Sequence, residues 1–270
     1  MSRLQNFRTK YGPWALVTGA ARGLGTEFSR QIAALGINLV LVDMLGDELI
    51  EVAEKIRTGS GREVKTIVTD LSLPGFMKPI REQTEGIEIG LLVSNAAFPP
   101  VGLFFEQSLQ DKLRMVDVNV RAPLMLVEEF GSRMLARKRG GIILVSSASA
   151  LQGVAYVASY AATKAYNLVL AESLWDELRG HGVDVLGFMP GTTRTTGFVL
   201  SKPRLERSRL AVVMEPEPTA SEALKALGRT PSHIAGARNR WSLFFAQRLL
   251  PRRKFITLVG NNMRAWYGSD

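Results

Sequence analysis

At 270 residues, with 46% hydrophobic and 22% charged content, the chain has the size and balance of one large α/β domain. It has no cysteine and only two histidines, which excludes disulfides and thiolate chemistry and argues against a zinc site. The net charge of +9 is uneven: residues 1–200 carry 21 basic and 20 acidic side chains, whereas residues 201–270 carry 13 and 5. No run reaches the ~18 apolar residues needed to span a bilayer. The start, MSRLQNFRTKYG, has no apolar signal core, so a reducing cytoplasm is the expected compartment.

In chain order, short apolar runs alternate with longer amphipathic stretches, the pattern of βαβ units and a parallel sheet. The runs predict strands at Trp14–Thr18, Leu39–Asp43, Val64–Thr69, Ile89–Ser94, Ile142–Ser146 and Val183–Phe188. Helices are expected at Leu24–Leu35, Glu48–Arg57, Phe76–Glu82, a long region from about Asp111 to Arg137, and Ser159–Arg179. Most of the strands are near-continuous Val, Ile and Leu, as when helices cover both faces of a sheet. The fold class is therefore α/β, a single doubly wound Rossmann-type domain over residues 1–270. From residue 192 to Met214 the period is lost, predicting a mobile loop over the substrate. Residues 215–270 read as a basic helical extension, with helix at Glu222–Leu227 and Trp241–Leu250. Its cations are interleaved with apolar residues, which fits either a solvated helix face or a patch for an anionic membrane surface.

The first strand runs into Thr18-Gly19-Ala20-Ala21-Arg22-Gly23-Leu24-Gly25 and then a helix. Glycines there let the backbone approach a diphosphate while the helix N-terminus offers unpaired N–H groups. A lone glycine pattern is weak; the strand–turn–helix context makes it a nucleotide loop. The second strand ends at Asp43, where a carboxylate can accept from a ribose 2′-hydroxyl and repel a 2′-phosphate, and Met44 follows it with no base. Arg22 is either a phosphate contact, a solvated residue or a charge partner for Asp43. On balance NAD is favoured over NADP. Asp70 and Leu71 could flank an adenine, or Asp70 is a helix cap in Asp-Leu-Ser.

Tyr160 and Lys164 stand four apart, so on a helix they share a face, and a nearby ammonium favours the ionised phenol. Alone, the pair is as consistent with a core tyrosine and a solvated lysine. Ser146 and Ser147 lie 14 and 13 residues upstream.

Together, Thr18–Gly25, Asn95-Ala96-Ala97, Asn119, Ser147, Tyr160-Ala-Ala-Thr-Lys164 and Pro190-Gly191 with Thr193 and Thr195 resemble the short-chain dehydrogenase/reductase family. The match runs from about Gly12 to Thr195. The resemblance implies a nicotinamide cofactor and oxidation of an alcohol or reduction of a carbonyl. It makes Tyr160 the acid/base, and Lys164 the residue that lowers its pKa and binds the nicotinamide ribose. Ser147 would hold the reacting oxygen, and Asn119 a water in a proton relay. Ala97 departs from the family's glycine and would be strained if its φ were positive. Met214-Glu-Pro216 and Ala223-Leu-Lys-Ala-Leu-Gly228 look like the branch acting on steroids and long-chain ketoacyl groups. The family also suggests homodimers or homotetramers.

Phe98, Leu151, Val154 and Tyr156, with Ser147, are expected to bound an apolar pocket for a hydrophobic secondary alcohol or ketone. They could equally pack under the loop. The rival readings are an NADPH-dependent ketoacyl or carbonyl reductase, a catalytically silent NAD-binding regulator, and a membrane-associated protein. No nucleic-acid partner is expected.

Overall fold

A computed structural model describes residues 3–207 and 212–268. Its centre is a seven-stranded parallel sheet in the order β3-β2-β1-β4-β5-β6-β7. The strands are β1 (Trp14–Thr18), β2 (Asn38–Asp43), β3 (Val64–Val68), β4 (Ile89–Ser94), β5 (Gly140–Val145), β6 (Val183–Met189) and β7 (Ser232–Ile234). Successive side chains on a strand point to opposite faces, and both faces are apolar. Ala15, Val17, Leu39, Leu41, Leu91, Val93, Leu186 and Phe188 enter one buried cluster. Their neighbours Leu16, Val40, Val42, Leu92, Ile142, Leu144 and Val185 enter the other. Helices cover both, so the sheet is the middle layer of a single α/β domain.

The first face is covered by α1 (Arg3–Tyr11), α2 (Gly23–Ala34), α3 (Gly46–Ser60) and, further along the chain, Pro216–Ala226. The second is covered by α4 (Met77–Thr84), by Ala122–Ala136 and by Ala158–Leu178. The region expected as one helix from about Asp111 to Arg137 is three pieces. α5 (Leu109–Val116) leads into one wide turn over Asp117–Arg121, closed by the N–H of Ala122 bonding the Asp117 carbonyl five residues back. α6 (Ala122–Ala136) follows. Such widened turns free a carbonyl and recur at functional sites. The carbonyl of Asn119 is the one used here, as described below. α7 (Ala158–Leu178) carries Tyr160 and Lys164.

The C-terminal part differs from the sequence expectation. Within 192–214, Thr196–Leu200 is helical (α8), and Thr193 bridges Met214 in parallel fashion; residues 208–211 lie outside the described residues. α9 (Pro216–Ala226) packs on α2, and β7 adds to the sheet edge beside β6, so both belong to the body of the domain. α10 (Ala237–Leu249) and α11 (Arg252–Tyr267) follow.

The strand order reverses direction between β1 and β4. In an open parallel sheet that is where a crevice opens at the strands' carboxyl ends.

Candidate active site

A cleft of about 680 Å³ occupies that position. Its nucleotide end is made of backbone. Gly19 and Gly23 have φ of +66° and +58°, which side chains rarely adopt. A methyl at Gly25 would lie 1.9 Å from the Gly19 carbonyl oxygen, so the turn closes against the helix only with glycine. No side chain caps the N-terminus of α2, leaving its N–H groups and positive dipole end directed at the turn. Asn95 holds the turn from below, its Nδ2 donating to the carbonyls of Thr18 and Gly19 at 3.0 and 3.1 Å. Thr18 Oγ1 in turn accepts from the N–H groups of Asn95 and Ala96. This cradle fits a dinucleotide diphosphate in shape and donor chemistry. Ala21 and Gly25 shape the turn from behind and do not line the cleft.

Asp43 ends β2 with its carboxylate braced by backbone: Oδ2 accepts from the Ala21 N–H at 3.0 Å and Oδ1 from the Leu45 N–H at 3.1 Å. A carboxylate retains further lone pairs, so a ribose hydroxyl can still be accepted. Arg22 does not pair with Asp43; its guanidinium bonds Glu48 on α3. Met44, Asp70, Leu71 and Arg114 complete this end. Asp70 caps its own turn, accepting from the N–H and hydroxyl of Ser72, and takes Arg114 Nη2 at 3.0 Å. Burial pushes the Asp70 pKa up, but the Ser72 hydrogen bonds and the Arg114 charge outweigh it and hold the carboxyl below its usual range. Arg114 also stacks over Phe98, 5.0 Å from the ring centroid.

At the chemical end, β5 delivers Ser146 and Ser147, and α7 delivers Tyr160 and Lys164. Ser146 Oγ donates to the Lys164 carbonyl at 2.6 Å, tying strand end to helix. Ser147 faces the cleft, hydrogen-bonds Tyr160, and accepts from the N–H and hydroxyl of Ser149. Lys164 is 1% exposed and donates to the Val145 carbonyl at 2.8 Å, with no carboxylate partner among the described residues. Burial pulls its pKa down to about 8. Its Nζ lies 5.7 Å from the Tyr160 ring centroid. Burial also pushes the Tyr160 phenol up to about 12, against the Ser147 hydrogen bond, which lowers it. In the protein alone, desolvation therefore outweighs the Ser147 hydrogen bond. The phenol is held in its protonated form at neutral pH.

Asn119 lies behind this group, fully buried and not lining the cleft. Its Oδ1 accepts from the Phe98 N–H (2.8 Å), and its Nδ2 donates to Thr163 Oγ1 (3.1 Å). The carbonyl freed by the wide turn accepts from Asn167 Nδ2 at 2.9 Å. Asn119 thus joins the loop after β4 to α7 directly beneath the Tyr160–Lys164 face. Ala97 is not among the residues of positive φ, so the alanine is unstrained.

Of the expected substrate residues, Ser147, Phe98 and Val154 line the cleft and two do not. The tight turn Ala148–Leu151 presents Gln152 in place of Leu151. Tyr156 sits at φ +67°, an unusual conformation for a bulky residue. Its phenol is directed to Gly268, where an added methyl would come within 3.2 Å of it. Pro190, Gly191, Thr193 and Thr195 line the cleft as expected.

The opposite wall was not anticipated. Phe198 from α8, Leu243 from α10, and Val259, Met263, Trp266 and Tyr267 from α11 close the substrate side. Phe198 meets Trp266 edge-on, and Ser201 Oγ bonds the Tyr267 hydroxyl at 2.9 Å, pinning α8 to α11. Phe255, Val259, Met263 and Trp266 recur at helical spacing, a stripe that identifies a packed helix from sequence. Gln152 Oε1 and Trp266 Nε1 are buried without a protein partner.

Diphosphate cradle, serine, tyrosine and lysine around one crevice suit hydride transfer with proton transfer at oxygen. Residues 13–204 match the model of the short chain dehydrogenase family. The chain belongs to the short-chain dehydrogenase family. A 7beta-hydroxysteroid dehydrogenase from Collinsella aerofaciens is 32% identical over 240 residues, covering 88% of this chain and 91% of that protein. A solved structure described as giving insights into 7beta-hydroxysteroid dehydrogenase stereoselectivity superposes with a TM-score of 0.88 at 31% identity, covering 94% of this chain and 99% of the other. A short-chain dehydrogenase from Sphingobium yanoikuyae in complex with NADPH gives 0.74 at 26% identity, covering 88% and 94%. The hydroxysteroid branch suggested by the C-terminal motifs is therefore supported, and this short-chain dehydrogenase is an NAD(P)-dependent oxidoreductase. Among the described residues no helix is long and apolar enough to cross a membrane, and no group of three or more His, Cys, Asp or Glu could hold a metal.

Proposed function

We propose that the protein interconverts a hydrophobic secondary alcohol and its ketone, of the steroid class, with NAD favoured over NADP and Tyr160 as the acid/base. The observation that carries this reading is one cleft with the glycine turn at one end and Ser147, Tyr160 and Lys164 at the other. When bound, the nicotinamide would supply or accept the hydride.

In reduction, the Tyr160 phenol gives its proton to the substrate oxygen as negative charge develops there, and Ser147 Oγ–H donates to the same oxygen. A phenol near 12 is stocked with that proton at neutral pH. In oxidation the same phenol must first lose its proton, so oxidation of the alcohol to the ketone is favoured by higher pH. Lys164 supports the phenolate by charge when protonated, and its donors not used by Val145 would bind the ribose hydroxyls. Asn119 and Asn167 fix the helix geometry and would hold a water that refills the proton.

NAD is favoured because Asp43 would repel a 2′-phosphate and Arg22, the nearby cation, is already engaged by Glu48. The relative crystallised with NADPH sets the second reading, an NADPH-dependent carbonyl reductase. Val154, Val157, Val259, Met263 and Trp266 give the substrate wall its apolar character. The exposed Leu124 of α6 and Val169 of α7 suit a homodimer or homotetramer built on these helices. A cytoplasmic location fits the absence of cysteine.

Turnover with NAD and NADP, against steroid alcohols and ketones beside small hydroxy acids, tests the reading. NAD-linked oxidation of the steroid alcohols is expected. Turnover of small charged hydroxy acids alone would end it, and a strong NADP preference would transfer support to the reductase.

A further inference from the structure

Residues 237–268, the whole of α10 and α11, contain seven basic residues and no Asp or Glu. No residue of α10 is buried. Trp241, Phe244, Phe245, Arg248 and Leu249 recur at the 3, 4, 7 and 8 spacing of a helical stripe, and all are exposed; Trp241 is 62% and Leu249 73% accessible. The three rings pack on one another, and the Arg248 guanidinium lies 3.8 Å from the Phe244 centroid. A large aromatic patch held out in water needs a partner.

Charge says which kind. Arg238, Arg248, Arg252, Arg253 and Lys254 are exposed and make no ion pair with a carboxylate of the described residues. Arg252, Arg253 and Lys254 form the first turn of α11, where the helix dipole disfavours cations and no acidic residue compensates. That arrangement costs the isolated chain stability and is rewarded by an external anion. A second copy would bring the same positive charge against itself. Exposed Trp and Phe on a helix, flanked by Arg and Lys, is the composition of an interfacial membrane anchor.

We propose that α10 and the first turn of α11 dock on an anionic lipid bilayer beside the mouth of the substrate cleft. The same two helices supply Leu243, Val259, Met263 and Trp266 to the cleft wall. Docking therefore brings the apolar cleft to a surface where apolar alcohols partition.

The test is co-sedimentation of the full chain with phosphatidylcholine vesicles, with and without phosphatidylglycerol, at low and high salt. Binding to the anionic vesicles, released by salt, is expected. Reversal of Arg252, Arg253 and Lys254 to Glu should weaken binding about tenfold or more. The double change Trp241→Ser and Phe245→Ser should weaken it by about tenfold. Both variants should keep wild-type turnover of a water-soluble substrate. Quenching of wild-type tryptophan emission by brominated lipids, lost in Trp241→Phe, reports the contact should a variant misfold. No binding, equal binding to neutral vesicles, or undiminished binding of the charge-reversed chain would overturn the proposal. So would light scattering in which Trp241→Ser/Phe245→Ser splits a wild-type oligomer, because a second copy would then be what covers the stripe. Sedimentation needs neither cofactor nor turnover, so failure here is distinguishable from failure of the proposed chemistry.

Discussion

The two ends of the cleft are built by different means. The nucleotide end is backbone: two left-handed glycines, a helix terminus, carbonyls held by Asn95, and Gly25 closing on Gly19. The substrate end is side chain, with Trp266, Met263 and Val259 of α11 reaching across to Phe198 and Val154. A backbone site demands particular residues at fixed spacing. An apolar wall demands only bulk, supplied by whichever element the fold places there. One end should therefore fail sharply when altered and the other by degrees.

The largest effect is expected at Gly25→Ala. A methyl 1.9 Å from a backbone oxygen cannot be absorbed by a rotamer change. Nucleotide affinity should fall by about two orders of magnitude and stability by about 3 kcal/mol, read by NADH titration and denaturant unfolding. Wild-type binding would show that the turn is less rigid than its contacts indicate.

Lys164→Met should reduce turnover about a hundredfold, and it also tests the pH behaviour. In the folded chain Lys164 is pulled from 10.5 to about 8. Between those values the unfolded chain binds a proton that the folded chain lacks, so this residue makes stability rise with pH. Tyr160, raised from 10 to about 12, acts oppositely above pH 10, where the unfolded chain releases its proton first. Denaturation midpoints across pH 8 to 10 should thus lose their upward component in Lys164→Met. An unchanged profile would refute an amine that is buried with only the Val145 carbonyl as partner among the described residues.

At the other end, Trp266→Ala should raise KM for bulky apolar substrates about tenfold while kcat changes little, with a stability loss of about 3 kcal/mol. A proportionate fall in kcat would place Trp266 nearer the chemistry than the wall. The smallest change is expected from Glu48→Gln, which releases Arg22 from its ion pair. The NADP-to-NAD ratio of kcat/KM should rise several-fold; no change would remove Arg22 from cofactor selection.

The same contrast explains what could be read from sequence. β1, β2, β4 and β5 announced themselves because both sheet faces are buried there, leaving nearly unbroken apolar runs. Tyr160 and Lys164 carried a fixed spacing, and the glycines a fixed backbone need. β7 is three half-buried residues, Ser232 to Ile234, whose strand character comes only from pairing with β6. The wide turn at Asp117–Arg121 has no local signature, since its residues suit an ordinary helix equally well. Leu151 was expected in the cleft from proximity in sequence, but a tight turn presents Gln152 there. The wall on α11 was legible in the spacing of Phe255, Val259, Met263 and Trp266, though nothing local says against what that stripe packs. The burial of Tyr160 and Lys164 was not legible either, because spacing reports adjacency and not solvation.

The most direct test of the acid/base assignment is Tyr160→Phe, assayed in parallel for steroid turnover and NADH binding. Loss of the hydroxyl should lower turnover by at least about a hundredfold while cofactor affinity stays within about twofold of wild type. Substantial turnover without that hydroxyl would contradict the proposed role of Tyr160.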